Sequence, residues 1–94
     1  RLGIPYRYEY PLTLSGQMIY PDFLVLNVRE RKEYYLEHLG MLDDPKYGAD
    51  LVWRLSLYED NGIFPGDKLL ITYESSRSPL RPRSVRRLID KYLL

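Results

Sequence analysis

The sequence predicts a single α/β domain built on a mixed sheet, with its elements in the order βββαβα. Three observations carry that expectation. Strand-type runs joined by short turns fill the first forty residues, and a segment of helical period follows between Pro45 and Asn61-Gly62. A short apolar run, Lys68–Glu74, then precedes a second helical segment opened by Pro82. A chain of 94 residues suffices for one small core and is too short for two, so residues 1–94 are read as one domain.

The first strand is Ile4–Thr13, IPYRYEYPLT, tyrosine-rich and alternating. Pro5 and Pro11 place it near a sheet edge or confine its pairing to the middle. Ser15-Gly16 is a turn signal that, with Leu14, makes a hairpin into the second strand, Gln17–Val28. The charged segment Arg29–Lys32 turns the chain into the third strand, Glu33–Leu39, which Gly40 ends. Three strands with short links make an antiparallel meander. Asp43-Asp44-Pro45 then reads as a helix start, with an Asp cap and a proline where its missing N–H costs nothing. Tyr47, Leu51, Arg54, Leu55 and Tyr58 keep helical spacing, and Asn61-Gly62 stops the helix. Strand three, this helix and Lys68–Glu74 are expected to form a right-handed parallel crossover. Ser75–Arg81 is a polar loop, and the last helix carries Val85, Leu88, Ile89, Tyr92 and Leu93 on one stripe.

Composition bounds the partners. Hydrophobic residues make up 45% and charged residues 29%, ordinary values for a soluble globular domain. No apolar run is long enough to span a membrane and no signal-peptide pattern opens the chain, so the reading is cytoplasmic with no membrane partner. The absence of cysteine removes disulfides and thiolate metal sites, and suits a reducing compartment. The chain opens at Arg1 without an initiator Met and reads as a piece of a longer protein, whose remainder counts among its partners; a homo-oligomer is also open. The net charge of +1 is unevenly spread. Residues 1–74 hold 8 Lys/Arg against 12 Asp/Glu, whereas residues 75–94 hold 6 against 1. Arg77, Arg81, Arg83, Arg86, Arg87 and Lys91 are either the solvated face and lead-in of the last helix or a patch that contacts nucleic-acid phosphates.

Two acids stand out against apolar surroundings, Asp22 in the second strand and Glu37 in the third. A carboxylate among buried strand positions costs several kcal/mol unless it is paired or binds a metal. A turn centred on Arg29–Glu30 sets position 22 opposite 37; a turn at Glu30–Arg31 makes them diagonal on one face. Either register leaves the carboxylates roughly 5–8 Å apart, a spacing that suits a divalent cation between them. An intermediate register would put them on opposite faces. Asp22 also has a plainer reading as a turn-capping residue.

The ordered set YPDF, EHLGMLDDPKY and YEDNGI is similar to a bacterial and phage subgroup of the PD-(D/E)XK, or restriction-endonuclease-like, nuclease superfamily. The resemblance spans roughly residues 4–72. It implies a restriction-endonuclease-like mixed sheet and Mg²⁺-dependent hydrolysis of nucleic-acid phosphodiesters, DNA before RNA, with Mn²⁺ as an alternative ion. Asp22 and Glu37 match the metal-binding acids, and the backbone carbonyl of His38 sits where a further ligand is usual. Leu39 occupies the place of the lysine expected two residues after the Glu. Arg54 matches the position from which the following helix supplies the cation in the similar subgroup. Arginine can hold phosphate charge but stays protonated and is a poor general base. The superfamily core begins with a helix before strand one; this chain starts at or after it, and the expectation is that this helix is missing.

Other residues have structural readings. The His38 ring should point away from Glu37 and be satisfied in the fold, and the alternative reading of Arg54 is that it snorkels to solvent. Glu9 reads as solvent-facing or salt-bridged, Gln17 as locally paired, Asp43 and Asp44 as a helix cap. Tyr47 and Tyr58 read as core, as do most of the ten tyrosines, although exposed ones could stack on bases. Removing either acid is expected to leave folding intact or to raise stability by relieving like-charge repulsion. The alternative function is a catalytically degenerate nuclease-like domain that binds nucleic acid or another protein. A hydrolase with a nucleophilic serine is set aside, since no G-x-S-x-G turn is present and the sole His has no evident nucleophile partner.

Overall fold

Ser15 and Gly16 both take positive φ, 50° and 76°, as a two-residue hairpin turn requires. In the computed structural model, which describes residues 3–40 and 42–94, that turn joins the second and third of six strands. In chain order these are β1 (Tyr6–Tyr8), β2 (Leu12–Leu14), β3 (Gln17–Ile19), β4 (Phe23–Asn27), β5 (Lys32–Leu39) and, after a helix, β6 (Leu69–Tyr73). The helices are α1 (Pro45–Asp60) and α2 (Pro82–Tyr92). The fold is mixed α/β, as expected, but the first two expected strands are each split in two.

The split has a physical cause. Paired residue numbers sum to 31 in β2–β3 (Leu12↔Ile19) and again in β1–β4 (Tyr6↔Val25), so one hairpin register runs through both halves. Between them, Glu9 sits at φ 49° and Pro11 and Pro21 interrupt the two arms. Proline has no N–H for the ladder, and positive φ turns a strand off its line. The Glu9 N–H still donates to the Asp22 carbonyl (3.0 Å), the last rung of the inner half. Beyond it the outer half leaves as a separate two-stranded sheet.

The main sheet has the order β1-β4-β5-β6. β4 is antiparallel to β1 and β5, and β6 is parallel to β5 across α1. α1 starts at Asp44, whose carboxylate accepts from the backbone N–H groups of Lys46 (2.9 Å) and Tyr47 (3.5 Å). It stops at Asn61, followed by Gly62 at φ 75°. Strand alternation sends Tyr35, Glu37 and Leu39 to one face and Tyr34, Leu36 and His38 to the other. On the first face Leu14 and Ile19 of the hairpin tip meet Leu57 and Tyr58 of α1, with Ile63 and Leu69. On the second, Val25, Tyr34 and Leu70 pack with Leu93, while Leu88, Ile89 and Tyr92 of α2 close over them. The sheet is therefore sandwiched between α1 with the hairpin tip and α2. Each fully buried aliphatic side chain contributes about 1.5–3 kcal/mol. Buried Asn27 ties the second layer down: its Nδ2 donates to the Tyr92 carbonyl (2.8 Å) and its Oδ1 accepts from the Glu30 N–H (3.0 Å).

Among the described residues no helix is long and apolar enough to cross a membrane. Five of the ten tyrosines, Tyr6, Tyr8, Tyr10, Tyr20 and Tyr73, are exposed rather than core. Tyr6 and Tyr8, on the short edge strand, pack instead against Phe23 at centroid distances of 5.8 and 5.5 Å.

Candidate functional site

The β4–β5 ladder decides the register on which the two acids depend. Phe23 pairs with Leu36 and Asn27 with Lys32, the register of a turn centred on Arg29–Glu30. The ladder ends at Phe23, so Asp22 lies just before β4 rather than within the expected strand; carried on by one residue, the same register would set it opposite Glu37. Both side chains line a cavity of about 250 Å³ on the α1 face, shared with His38, Leu39, Tyr47, Asp50, Leu51 and Arg54. The cavity lies at the carboxyl ends of β5 and β6, beside the start of antiparallel β4, where open α/β sheets generally place ligands.

Each acid has one oxygen committed. Asp22 Oδ2 accepts the His38 N–H at 2.7 Å. Glu37 is buried, and its Oε2 accepts from Arg54 Nη2 at 2.5 Å and from the Tyr58 hydroxyl. Arg54 does not snorkel away from the fold; it also donates to the Tyr20 carbonyl (3.3 Å). Burial opposes the Arg54 charge, but the Glu37 carboxylate more than offsets this and raises its pKa. Burial, and then the hydrogen bond and charge of Glu37, push the Tyr58 phenol far above the ordinary tyrosine range. The reading of Tyr58 as core is thus incomplete: it is fully buried, and its one polar atom serves the acid.

The donor set can be weighed against Mg²⁺. Within the described residues Glu37 Oε1 and Asp22 Oδ1 have no hydrogen-bond partner, and no buried side-chain oxygen is left unsatisfied, so both remain open to the cavity. The N–H and C=O of a strand residue point the same way, so the His38 carbonyl faces the Asp22 side of β5. These are hard oxygen donors, and they fit Mg²⁺, which keeps several waters. Among the described residues no group of three or more His, Cys, Asp or Glu side chains could hold a metal, so waters or substrate oxygens would complete the shell. The His38 ring turns to the α2 face, with Nδ1 2.8 Å from Thr72 Oγ1 and Nε2 3.4 Å from Glu74. Leu39, in the place of the expected lysine, is buried, leaving Arg54 as the cation on this cavity.

Arg77 and Arg81 line a larger cavity of about 670 Å³, with Ser78, Ser84 and Thr72, on the α2 face at the same end of the sheet. Arg83, Arg86 and Arg87 are exposed on α2 outside that cavity, and Arg86 pairs with Asp90 at 3.0 Å. Among the remaining expectations, Glu9 is exposed, Gln17 pairs with Leu14, Asp43 accepts from the Ser76 hydroxyl, and Met41 of the EHLGM motif lies outside the described residues.

Sequence reasoning missed Asp50 and the Tyr58 hydroxyl. Asp50 lies four residues before Arg54 on α1 and three after Tyr47, a spacing that puts all three on one helix face. That spacing was the available signal. Nothing in sequence separates a tyrosine that packs from one that also donates. In comparisons with known proteins, no protein family, curated protein or solved structure matches this chain.

Proposed function

We propose that this domain hydrolyses phosphodiester bonds in nucleic acid, DNA before RNA, with a divalent cation held by Asp22 and Glu37, in a restriction-endonuclease-like fold. One observation carries the reading: the carboxylates of Asp22, just before β4, and Glu37, on β5, line one cavity that an arginine also lines. Asp22 Oδ1, Glu37 Oε1 and the His38 carbonyl would hold Mg²⁺ or Mn²⁺. Bound there, the ion supplies charge to polarise a phosphate and a water made more acidic. The chain's own part is to fix Asp22 through the His38 N–H and Glu37 through the Tyr58 hydroxyl. Arg54 reaches the cavity and can hold phosphate charge, and with Leu39 in place of a lysine it is there for electrostatic stabilisation rather than proton transfer.

The test is cleavage of single- and double-stranded DNA with Mg²⁺ or Mn²⁺ against chelator, wild type beside Asp22→Ala. Metal-dependent cutting that falls to background in the variant supports the reading. A well-folded wild type that does not cut under any of these conditions overturns it.

The second reading, a nuclease-like domain that binds without cutting, is favoured by the Arg54–Glu37 pair, since a carboxylate already neutralised by a guanidinium needs no metal. On that reading DNA affinity survives Asp22→Ala and falls when Arg77 and Arg81 are neutralised.

A further inference from the structure

A carboxylate that ligates a metal through one oxygen must have the other held, or it rotates among alternative modes of ligation. Glu37 Oε2 receives two donors, and these differ in every respect that matters. The Arg54 side chain is about one-third exposed, lines the cavity, carries charge and is shared with the Tyr20 carbonyl. The Tyr58 ring is 0% exposed, packed among Leu14, Ile19, Leu57, Ile63 and Leu69, and 6.5 Å from the Tyr35 ring. Arg54 borders the cavity, where a phosphate could meet it; Tyr58 is enclosed.

We propose that Tyr58 is a positioning residue: its hydroxyl holds Glu37 by Oε2 and presents Oε1 to a divalent cation, whether or not Arg54 stays in place. The inference rests on the metal reading above and deepens it. Tyr58 is a neutral donor, so it orients the ligand without repelling the cation. Arg54 brings a positive charge within 2.5 Å of the same oxygen and opposes cation binding. The two donors to one atom therefore have opposite effects on affinity.

Mn²⁺ titration followed by electron paramagnetic resonance, on wild type, Tyr58→Phe and Arg54→Met, tests this without any cleavage assay. Tyr58→Phe keeps the ring and should weaken Mn²⁺ binding about 10–100-fold, the usual cost of losing a hydrogen bond to a metal ligand. Arg54→Met should bind Mn²⁺ at least as tightly as wild type. A merely structural Tyr58 would lower the unfolding midpoint and leave Mn²⁺ affinity where it was, which overturns the proposal; so does weaker binding in Arg54→Met. Wild type that is folded and binds no Mn²⁺ overturns the metal reading itself, and is told apart because all three proteins are then equally silent. Should Tyr58→Phe not fold, wild type still decides. The buried hydroxyl proton, followed by NMR, must shift when diamagnetic Mg²⁺ is added if Glu37 carries the ion, and an unmoved resonance overturns the proposal.

Discussion

Glu37 and Asp22 line one cavity, yet their surroundings make them unequal. Glu37 is buried under an arginine and a phenol, whereas Asp22 is half-buried and accepts one backbone N–H. Glu37→Ala strands both donors, so the geometry replaces the expected neutral or stabilising effect with a loss of about 1–3 kcal/mol, discounted from a fully buried pair because Arg54 reaches solvent. Asp22→Ala should cost about 1 kcal/mol, and urea denaturation of the two variants checks the order. Tyr58 adds a pH dependence. Burial first, and then Glu37, hold its proton in the folded chain, while the unfolded chain releases the same proton near pH 10. A folded pKa above the unfolded one gives stability that is complete below about pH 10 and is lost as pH rises beyond it, at up to about 1.4 kcal/mol per pH unit. Tyr58→Phe lacks that loss. The stability gap between wild type and variant should therefore narrow from pH 9.5 upward in urea melts, roughly where the phenol of the unfolded chain begins to titrate. Tyr35, also raised by burial, is common to both proteins and cancels.

At the scale of elements, what could be read from sequence was whatever a single residue type dictates. The Asp44-Pro45 start and the Asn61-Gly62 stop of α1 are local backbone chemistry, and the helix runs between them. Asp44→Ala should cost about 1 kcal/mol, because two N–H groups lose their acceptor and the first turn carries no other acid. A thermal melt of that variant checks it, and the same change should loosen the cavity wall that carries Asp50 and Arg54. The broken hairpin was legible only in part: Pro5 and Pro11 marked an edge strand with incomplete pairing, but not where it breaks. Its alternation continues through the break and its register never slips, so periodicity alone reads two long strands. What bends it is Glu9 at positive φ between prolines, a conformation that no residue type there announces. The bend nevertheless matters to the site. It lets the tip carry Leu14 and Ile19 over α1, onto the packed side of Tyr58. Gly16, at φ 76° in the turn, should lose about 1 kcal/mol on substitution by alanine.

For the molecule as a whole, the sheet gathers its chemistry at one end and divides it between two faces. The acids open on the α1 face, and Arg77 and Arg81 line a cavity on the α2 face, both beside the carboxyl ends of β5 and β6. The charge asymmetry of the sequence pointed to this region but not to its division, because helical spacing does not say which arginines meet a carboxylate or a cavity. The fold does: Arg86 is paired with Asp90, while Arg77 and Arg81 make no ion pair among the described residues. A nucleic-acid backbone crossing this end of the sheet would meet the unpaired arginines first. On the proposed function, Arg77→Ala and Arg81→Ala should each weaken DNA binding and reduce the slope of log affinity against log salt by about one. Arg86→Ala should change both far less, since its charge is already balanced by a partner that it would release. Fluorescence anisotropy across a salt series reads all three together. Equal losses from the three variants would mean that net charge alone attracts the strand; a loss confined to Arg77 and Arg81 would mean that the strand is seated across the end of the sheet where the two acids stand.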